Sequence, residues 1–430
     1  LLKHQKAADV SIDLFERLPA PYGLVRYGVA PDHPRIKGIV NSLREILDSG
    51  KIRLFGNVNY GTDITLHDLK QHYHAVIFAT GAMRDAELNI PGVQLPGSFG
   101  AADFVSWYDG HPDVPRDWPL DAKEVAVIGN GNVALDVARM LVKRPQDLYP
   151  TEVPQNVYEA LESSSVTDVH IFGRRSPRHV KFTPLELREI GELNDVDIVL
   201  HVEDFEQKHD QGVKASLTKQ LVVIDRIFAE WRSREVGGAS RRLHFHFFAQ
   251  PLEVLGSRAV KGLRYRRNQV TPSGEIVATD EIRDLDVQAV YHAVGYFGSP
   301  LPEIPFDSVR GVIPNDNGAV LDSTGLHMPG VFVTGWIKRG PVGLIGHTKS
   351  DAMETVATML KLENSHWIPL ESESDAIVDL LTTRGCEFTD LSGWQRLDRE
   401  EIKRGVKVGK ERSKIVSREE LLRTSNPQGS

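Results

Sequence analysis

The sequence predicts an α/β protein built from two Rossmann-like, dinucleotide-binding units, the second inserted into the first. Three observations carry this. A strand, a glycine turn and a helix follow one another without interruption in "EVAVIGNGNVALDVARMLV", residues 124–142. Two apolar strands, "VIFATG" and "VYHAVGY", each end at a glycine, as strands do that return the chain beside a nucleotide. Around them strand-like and helix-like segments alternate, the pattern of a largely parallel sheet covered by helices.

The elements follow in order. "LLKHQKAA" reads as the last turns of a helix, and "VSIDLFE" alternates with period two and ends on an acid, Glu16. A Pro/Gly-rich loop from Pro19 to Pro34 leads into an amphipathic helix, "RIKGIVNSLREILDS", and then a short strand, "IRLFGNV". In "TLHDLKQHY" Thr65 and Asp68 have the spacing of a capping box, so a helix starts there. After "IPG" at 90–92 a helix, "AADFVSWYDG", passes through a proline-rich linker (Pro112, Pro115, Pro119) to the strand–turn–helix. "DVHIFGRR" is the next strand, with residues 145–165 inserted before it, and "TPLELREIGEL" and "LTKQLVVIDRIFAEWRSR" read as helices. "RLHFHFFAQPLEVLG" and "VKGLRYRRNQV" alternate strongly and read as one antiparallel pair. "VQAVYHAVGY" and "GVFVTGW" are buried strands, and "GLIGHTKSDAMETVATML" is a helix. The tail from about 365 reads as polar with short helical segments, and no internal repeat or low-complexity stretch is present. The expected division is 1–95, 96–300 and 301–430, with the outer pieces forming one unit.

Composition narrows the chemistry. The chain has 430 residues, enough for two or three cores, with 40% hydrophobic and 26% charged residues. A net charge of −8 argues against nucleic acid as a partner. No apolar run reaches the roughly 20 residues that span a bilayer. The single cysteine, Cys386, excludes an intramolecular disulfide, a Cys₄ zinc site and a dithiol redox pair within these residues. It fits a reducing compartment, with a cytoplasmic location expected, or the mitochondrial matrix in a eukaryote.

The motif that carries chemistry is G-x-G-x-x-A: Gly129, Gly131 and Ala134. The first glycine permits the tight turn, the second lets the backbone approach a pyrophosphate, and the alanine lets helix pack on strand. Free N–H groups and the positive dipole end at the helix start hold phosphate. Without its flanking strand and helix the pattern would be a mere glycine turn; with them it reads as a dinucleotide site. The next strand ends in Arg174 and Arg175 with no acid. Forked guanidiniums suit a 2′-phosphate rather than a bare ribose hydroxyl, so NADP is expected rather than NAD. A solvated basic turn is the bland alternative. "GVFVTGW…GPVGLIG", residues 330–346, with Glu16 and the two glycine-ended strands, suggests a second nucleotide, FAD.

At this point the chain resembles the adrenodoxin reductase-like ferredoxin–NADP reductases. The resemblance runs through "GLVRYGVAPDHPRIK", "GNGNVALDVAR", "GRRSPRHVKFTPLELRE" and "GWIKRGPVGLIG" to the tail. It implies a two-domain fold of the glutathione reductase type, with the NADP domain inserted into the FAD domain. It also implies transfer of a hydride from NADPH to FAD and of single electrons to a ferredoxin-type iron–sulfur protein. Such proteins begin with a strand and a phosphate-binding glycine turn for FAD; that loop is expected to be missing here, since the first residues read as the helix after it. By resemblance Glu16, Leu24, Val58, Trp336, Gly343, Leu344 and Ile345 would contact FAD. Asn130, Gly131, Asn132, Val133, Arg174, Arg175 and Glu186 would contact NADP, with Gly343 between the two cofactors. His33, Asp136 and Glu189 would be the catalytic polar residues near the flavin or its electron path, and no metal is implied. Val342 stands where the family commonly has threonine, and Arg178 and His179 make the turn after the Arg pair more basic than usual. Two basic stretches are candidate docking surfaces for an acidic ferredoxin: Arg174, Arg175, Arg178, Lys181 and Arg188 joined by Lys338 and Arg339, or Lys403 to Lys414, the latter otherwise a solvated charged segment. A monomer is expected. The rival readings are an NADPH-dependent flavin monooxygenase or quinone reductase, and a non-enzymatic NADPH-binding module.

Overall fold

The computed structural model describes residues 10–206, 219–341, 345–371 and 373–426. The opening "LLKHQKAA" helix lies outside the described residues, as do Val342, Gly343 and Leu344; of Ile345 only the backbone is described, at the start of the helix Ile345–Lys361.

The chain divides between two sheet systems. The larger is six-stranded and wholly parallel, in the order Ser98–Gly100, Ala289–His292, Glu124–Ile128, Asp168–Phe172, Arg241–His246, Val196–Leu200. Each strand's alternate residues face opposite sides. Val125, Val127, Val169, Ile171, Leu243 and Phe245 face the buried helices Asn132–Val142, Pro184–Gly191 and Lys219–Arg232 in the largest core cluster. On the other side Ala126, Ile128 and Phe172 are covered by an antiparallel meander, Ala249–Gly256, Val260–Val270 and Ile276–Leu285.

That same side is polar toward the starts of the strands. Register places Glu124, Asp168 and Arg242 in one row and His170 and His244 in the next. His246 stacks on Phe172 at 4.6 Å and on His201 at 4.4 Å. Burial pushes His170 down to about 4 and lowers His201, His244 and His246, so the imidazoles are neutral at pH 7.

The second system is formed from both ends of the chain. Ile12–Glu16 pairs parallel with Ile52–Gly56, and Val76–Phe78 pairs parallel with His327–Val333 in a four-stranded sheet. An antiparallel ribbon, Arg84–Asp85 with Tyr296–Phe297, joins the two systems where the chain crosses between them. The inserted arrangement expected from the sequence is therefore the observed one.

Three readings of the sequence need correction. "RLHFHF" does not pair with the strand after it: Arg241–His246 is a parallel strand of the large sheet, and the antiparallel pairing starts only at Ala249. Phe248, at φ 52, turns the chain between them, and unbroken alternation hid that corner. Val196–Leu200 and Ile276–Leu285 are strands the periodicity did not single out. The polar tail is an integral layer. It contains a 17-residue helix, Leu391–Lys407, whose Trp394 and Leu397 pack with Leu421, Ile415, Leu54 and Ala20. The Thr65–Asp68 capping box is present as read.

Charges bury the tail further. Glu401, with its side chain fully enclosed, accepts from Arg26 Nη1 and Nη2 at 3.0 and 2.6 Å, from Arg412 at 3.0 Å and from the Ile415 amide at 2.9 Å. Lys414 Nζ reaches Glu152 at 2.9 Å and donates to the Arg26 and Asp109 carbonyls. Lys37 meets the same Glu152. Removing one partner of such a set leaves a buried charge unsatisfied, at a cost of about 3–5 kcal/mol. Glu401→Gln should therefore lower unfolding free energy by about that amount in a denaturant titration, whereas exposed Lys403→Gln should change it by under about 0.5 kcal/mol.

Candidate active site

The site is built where the large sheet, the loop of residues 17–38 and the turn 334–341 converge. Strand Glu124–Ile128 ends at Gly129, whose φ of 152° and 2.3 Å approach of a would-be Cβ to the Ala293 carbonyl exclude a side chain. Gly131 is the N-cap of Asn132–Val142 and no side chain caps that helix, so its first N–H groups are open to an anion. The turn is held from behind: Lys181 N donates to the Asn130 carbonyl at 2.8 Å, and Thr183 N donates to Asn132 Oδ1 at 3.0 Å. Asn130 Oδ1 and Glu186 Oε2 are buried without a hydrogen-bond partner. Burial also raises Glu186 above the usual carboxylate range. Groups of this kind want a ligand, and the donor and acceptor set fits a dinucleotide.

Arg174 and Arg175 follow the strand Asp168–Phe172, as read. Both side chains are exposed and make no ion pair among the described residues. Their backbone is fixed: Asn268 Nδ2 donates to the Arg174 carbonyl at 2.8 Å and Phe248 N to that of Arg175 at 3.0 Å.

The second set lies opposite. Glu16 ends its strand, accepts from Leu18 N at 3.1 Å, and is raised by burial. Val58 is buried, and Leu24 sits half-buried in the short helix Gly23–Tyr27. Trp336 starts the short helix Trp336–Arg339 with Nε1 buried and unpartnered; Arg339 Nη2 is likewise unpartnered. Those donors suit the carbonyl and phosphate oxygens of a flavin nucleotide. Trp336 and Val133 pack on one small cluster of Ala82, Ala102 and Tyr296, so residues expected at different cofactors meet there.

His33, Asp136 and Glu189, far apart in sequence, come together. His33 Nε2 lies 3.0 Å from Asp136 Oδ1 and Nδ1 lies 3.0 Å from Glu189 Oε2. Arg139 Nη2 is 3.0 Å from the same Asp136 oxygen and 2.8 Å from His33 Nε2. A guanidinium has no lone pair to offer, so the carboxylate accepts from both cations. Burial alone would lower His33; hydrogen bonds to Asp136 and Glu189 outweigh it and hold the imidazole up at about 9. Arg139 in turn pairs with Asp32, which also accepts from Lys143. Asp32 and Arg139 were missed in the sequence. The signal available was Arg139 at i+3 from Asp136, on one helix face, and Asp32 beside His33 in "PDHP".

The basic surfaces need correction. Lys338 is buried, with Nζ 2.6 Å from Glu354 and 3.0 Å from Asp351, and Arg339 turns toward Asp351. In the tail, Lys410 and Lys414 are buried and Arg412 pairs inward, leaving Lys403 and Lys407 exposed. The tail is thus neither a basic docking face nor a solvated segment. Lys181 and Arg188 remain exposed beside the Arg174–Arg175 turn.

A two-unit α/β fold with a glycine phosphate turn facing a second nucleotide-like site defines a dinucleotide-dependent oxidoreductase class. No family model matches the chain. It is 40% identical over 429 residues to the NADPH-ferredoxin reductase FprA of Mycobacterium tuberculosis, covering 96% of this chain and 92% of that one. It is 37% identical over 440 residues to the mitochondrial NADPH:adrenodoxin oxidoreductase of Homo sapiens, covering 98% and 88%. A solved structure of Mycobacterium tuberculosis FprA in complex with NADPH superposes with a TM-score of 0.89 at 39% identity, covering 98% of this chain and 93% of that one. The chain belongs to the NADPH-ferredoxin and NADPH:adrenodoxin reductase family.

His33 gives a pH prediction. Its folded value is raised from 6.5 to about 9. The stability that its proton confers is fully present below about 6.5 and lost as pH rises through about 9. The stability gap between the unmodified protein and His33→Gln should therefore narrow over that window in denaturant titrations. A gap independent of pH would mean that His33 is neutral in the fold.

Proposed function

We propose that this protein is a flavoprotein ferredoxin–NADP(+) reductase, taking a hydride from NADPH onto FAD and passing the two electrons singly to a ferredoxin-type iron–sulfur protein. The observation that carries the reading is the shared packing of Val133, at the phosphate turn, and Trp336, at the opposite site, against the cluster of Ala82, Ala102 and Tyr296. This packing supports two nucleotide sites that meet end to end, as hydride transfer requires. When bound, FAD supplies the conversion between a two-electron hydride and one-electron steps.

The chain's own residues bind, orient and shield. Asn130, Gly131, Asn132 and Val133 present the helix N-terminus to the NADP pyrophosphate. Arg174 and Arg175 take its 2′-phosphate. Glu186, whose carboxyl burial pushes up, suits ribose hydroxyl or carboxamide donors rather than phosphate. Glu16, Leu24, Val58 and Trp336 line the FAD side, with Gly343, Leu344 and Ile345 expected to complete it between the cofactors. His33 holds a proton on each ring nitrogen, one toward Asp136 and one toward Glu189. This fixed positive charge orients the loop of residues 17–38 against helix Asn132–Val142 and the flavin side of the site.

With one cysteine the chain cannot relay electrons through a dithiol, which favours an external protein acceptor over internal disulfide chemistry. Lys181 and Arg188, beside the nucleotide turn, offer the docking charge for an acidic ferredoxin. The crossing ribbon of Arg84–Asp85 with Tyr296–Phe297 supports a division near residues 95 and 300. Among the described residues no helix is long and apolar enough to cross a membrane. A reducing compartment, cytoplasm or mitochondrial matrix, and a monomeric state complete the reading.

Two measurements test it. Arg174→Ala/Arg175→Ala should lower kcat/KM for NADPH by about 2–4 kcal/mol in transition-state terms, the loss of charge-assisted bonds, and leave NADH nearly unchanged. Equal losses with both nucleotides would remove the 2′-phosphate assignment. Ferredoxin-coupled cytochrome c reduction should slow as ionic strength rises, while ferricyanide reduction responds much less. A common salt response would show that protein docking is not the charge-dependent step.

A further inference from the structure

One cluster of ligating side chains plays no part in the nucleotide sites. It lies at the start of the central strands, on the side of the sheet shared with the meander. Glu124, Asp168 with His170, and His244 come from three adjacent parallel strands. The usual occupants of a doubly covered parallel strand are Val and Ile. Here the two imidazoles stack with centroids 4.2 Å apart and planes 17° from parallel. Each points a nitrogen at a carboxylate: His244 Nε2 is 2.9 Å from Asp168 Oδ1, and His170 Nε2 is 2.9 Å from Glu124 Oε2. One ligand atom each from Asp168, His170 and His244 fall within 4.8 Å of one another.

We infer that Asp168, His170 and His244, with Glu124 as fourth ligand, form a binding site for one zinc-class divalent cation. The donor set is two imidazoles and two carboxylates without thiolate, which suits Zn²⁺ and its borderline neighbours rather than Ca²⁺ or Mg²⁺. Tetrahedral bonds of about 2.0–2.1 Å put ligand atoms about 3.3 Å apart. The two imidazole–carboxylate pairs need to open by a few tenths of an ångström, and the ligand atoms that now lie up to 4.8 Å apart to close by up to about 1.5 Å through tilting of the stacked rings. To ligate through Nε2, His170 and His244 each carry their single proton on Nδ1, so the two protons that now face the carboxylates move to Nδ1 by exchange with solvent and none is released net.

The outer shell is already in place. Asp168 Oδ2 accepts from Arg242 Nη2 and Thr167 Oγ1, both at 2.8 Å, which leaves Oδ1 to ligate at the loss of one bond from Arg242 Nε. His170 Nδ1 lies 2.9 Å from His246 Nε2, so when His170 Nε2 binds metal its Nδ1–H donates there, with His246 carrying its own proton on Nδ1. Glu124 and Arg242 are partly exposed and give the ion an entry path.

The test uses the intact flavin-loaded protein, stripped with chelator, desalted and given ZnCl₂. Elemental analysis after gel filtration should find one zinc per chain, and Co²⁺ in its place should show the intense visible bands of a tetrahedral site. His244→Gln and Asp168→Asn should each weaken zinc affinity at least about tenfold by calorimetry. A chain that retains no zinc would overturn the assignment, as would zinc retained equally by both variants, which would put the ion elsewhere among the 16 histidines. The cobalt spectrum of the unmodified protein decides the case if a variant does not fold.

Discussion

Buried charge that can be satisfied in only one arrangement holds this molecule together. Glu401, from the helix Leu391–Lys407, is enclosed by Arg26 of the first loop and Arg412 further along the tail. Glu152, from the inserted unit, takes Lys37 of the first segment and Lys414 of the tail. Lys414 is itself depressed by burial, and Asp109 beside it is raised to about 6 for the same reason. Hydrophobic faces tolerate sliding; a carboxylate without water does not tolerate a missing cation. The three sequence-distant pieces of the chain are therefore held in one register.

The functional geometry follows from that register. Arg26 and Lys37 bracket the loop that carries Asp32 and His33, so fixing them delivers His33 to Asp136 and Glu189 on the nucleotide-binding unit. The second charge set, Asp32, Arg139 and Lys143, closes the same contact from the other side. Between the two units the chain crosses at the ribbon of Arg84–Asp85 and Tyr296–Phe297, and Tyr296 also belongs to the small cluster against which Val133 and Trp336 pack. A connection this narrow would leave the units free to swing. The ionic contacts around His33 and Glu152 supply the stiffness that hydride transfer over a few ångströms needs.

Local rules made much of this legible in the sequence. The strand, Gly129 turn and helix, the Thr65 cap and the Arg174–Arg175 strand end are set by residues close in sequence, and each stands where those residues require. What was not legible depends on pairings across the chain. Lys410, Arg412 and Lys414 look like a solvated basic run, because nothing local reveals that Glu152, Asp398 and Glu401 await them. Lys338 misleads in the same way through Asp351 and Glu354, one helix later. Alternation in "RLHFHFFAQPLEVLG" is satisfied equally by one long strand and by two meeting at Phe248, and only the competing parallel partners decide. The imidazoles of residues 170, 244 and 246 share a face only once strand order is known.

On the proposed function, the phosphate turn and the Trp336 turn hold two nucleotides end to end across the cluster of Ala82, Ala102 and Tyr296. A crystal structure of the flavin-loaded protein with NADP⁺ measures this directly. The pyrophosphate should lie on the amides of residues 130–133, the 2′-phosphate between the Arg174 and Arg175 guanidiniums, and the nicotinamide against the flavin beside Trp336. A nucleotide whose 2′-phosphate sits away from that Arg pair, or whose nicotinamide lies far from the flavin in a closed complex, would contradict it.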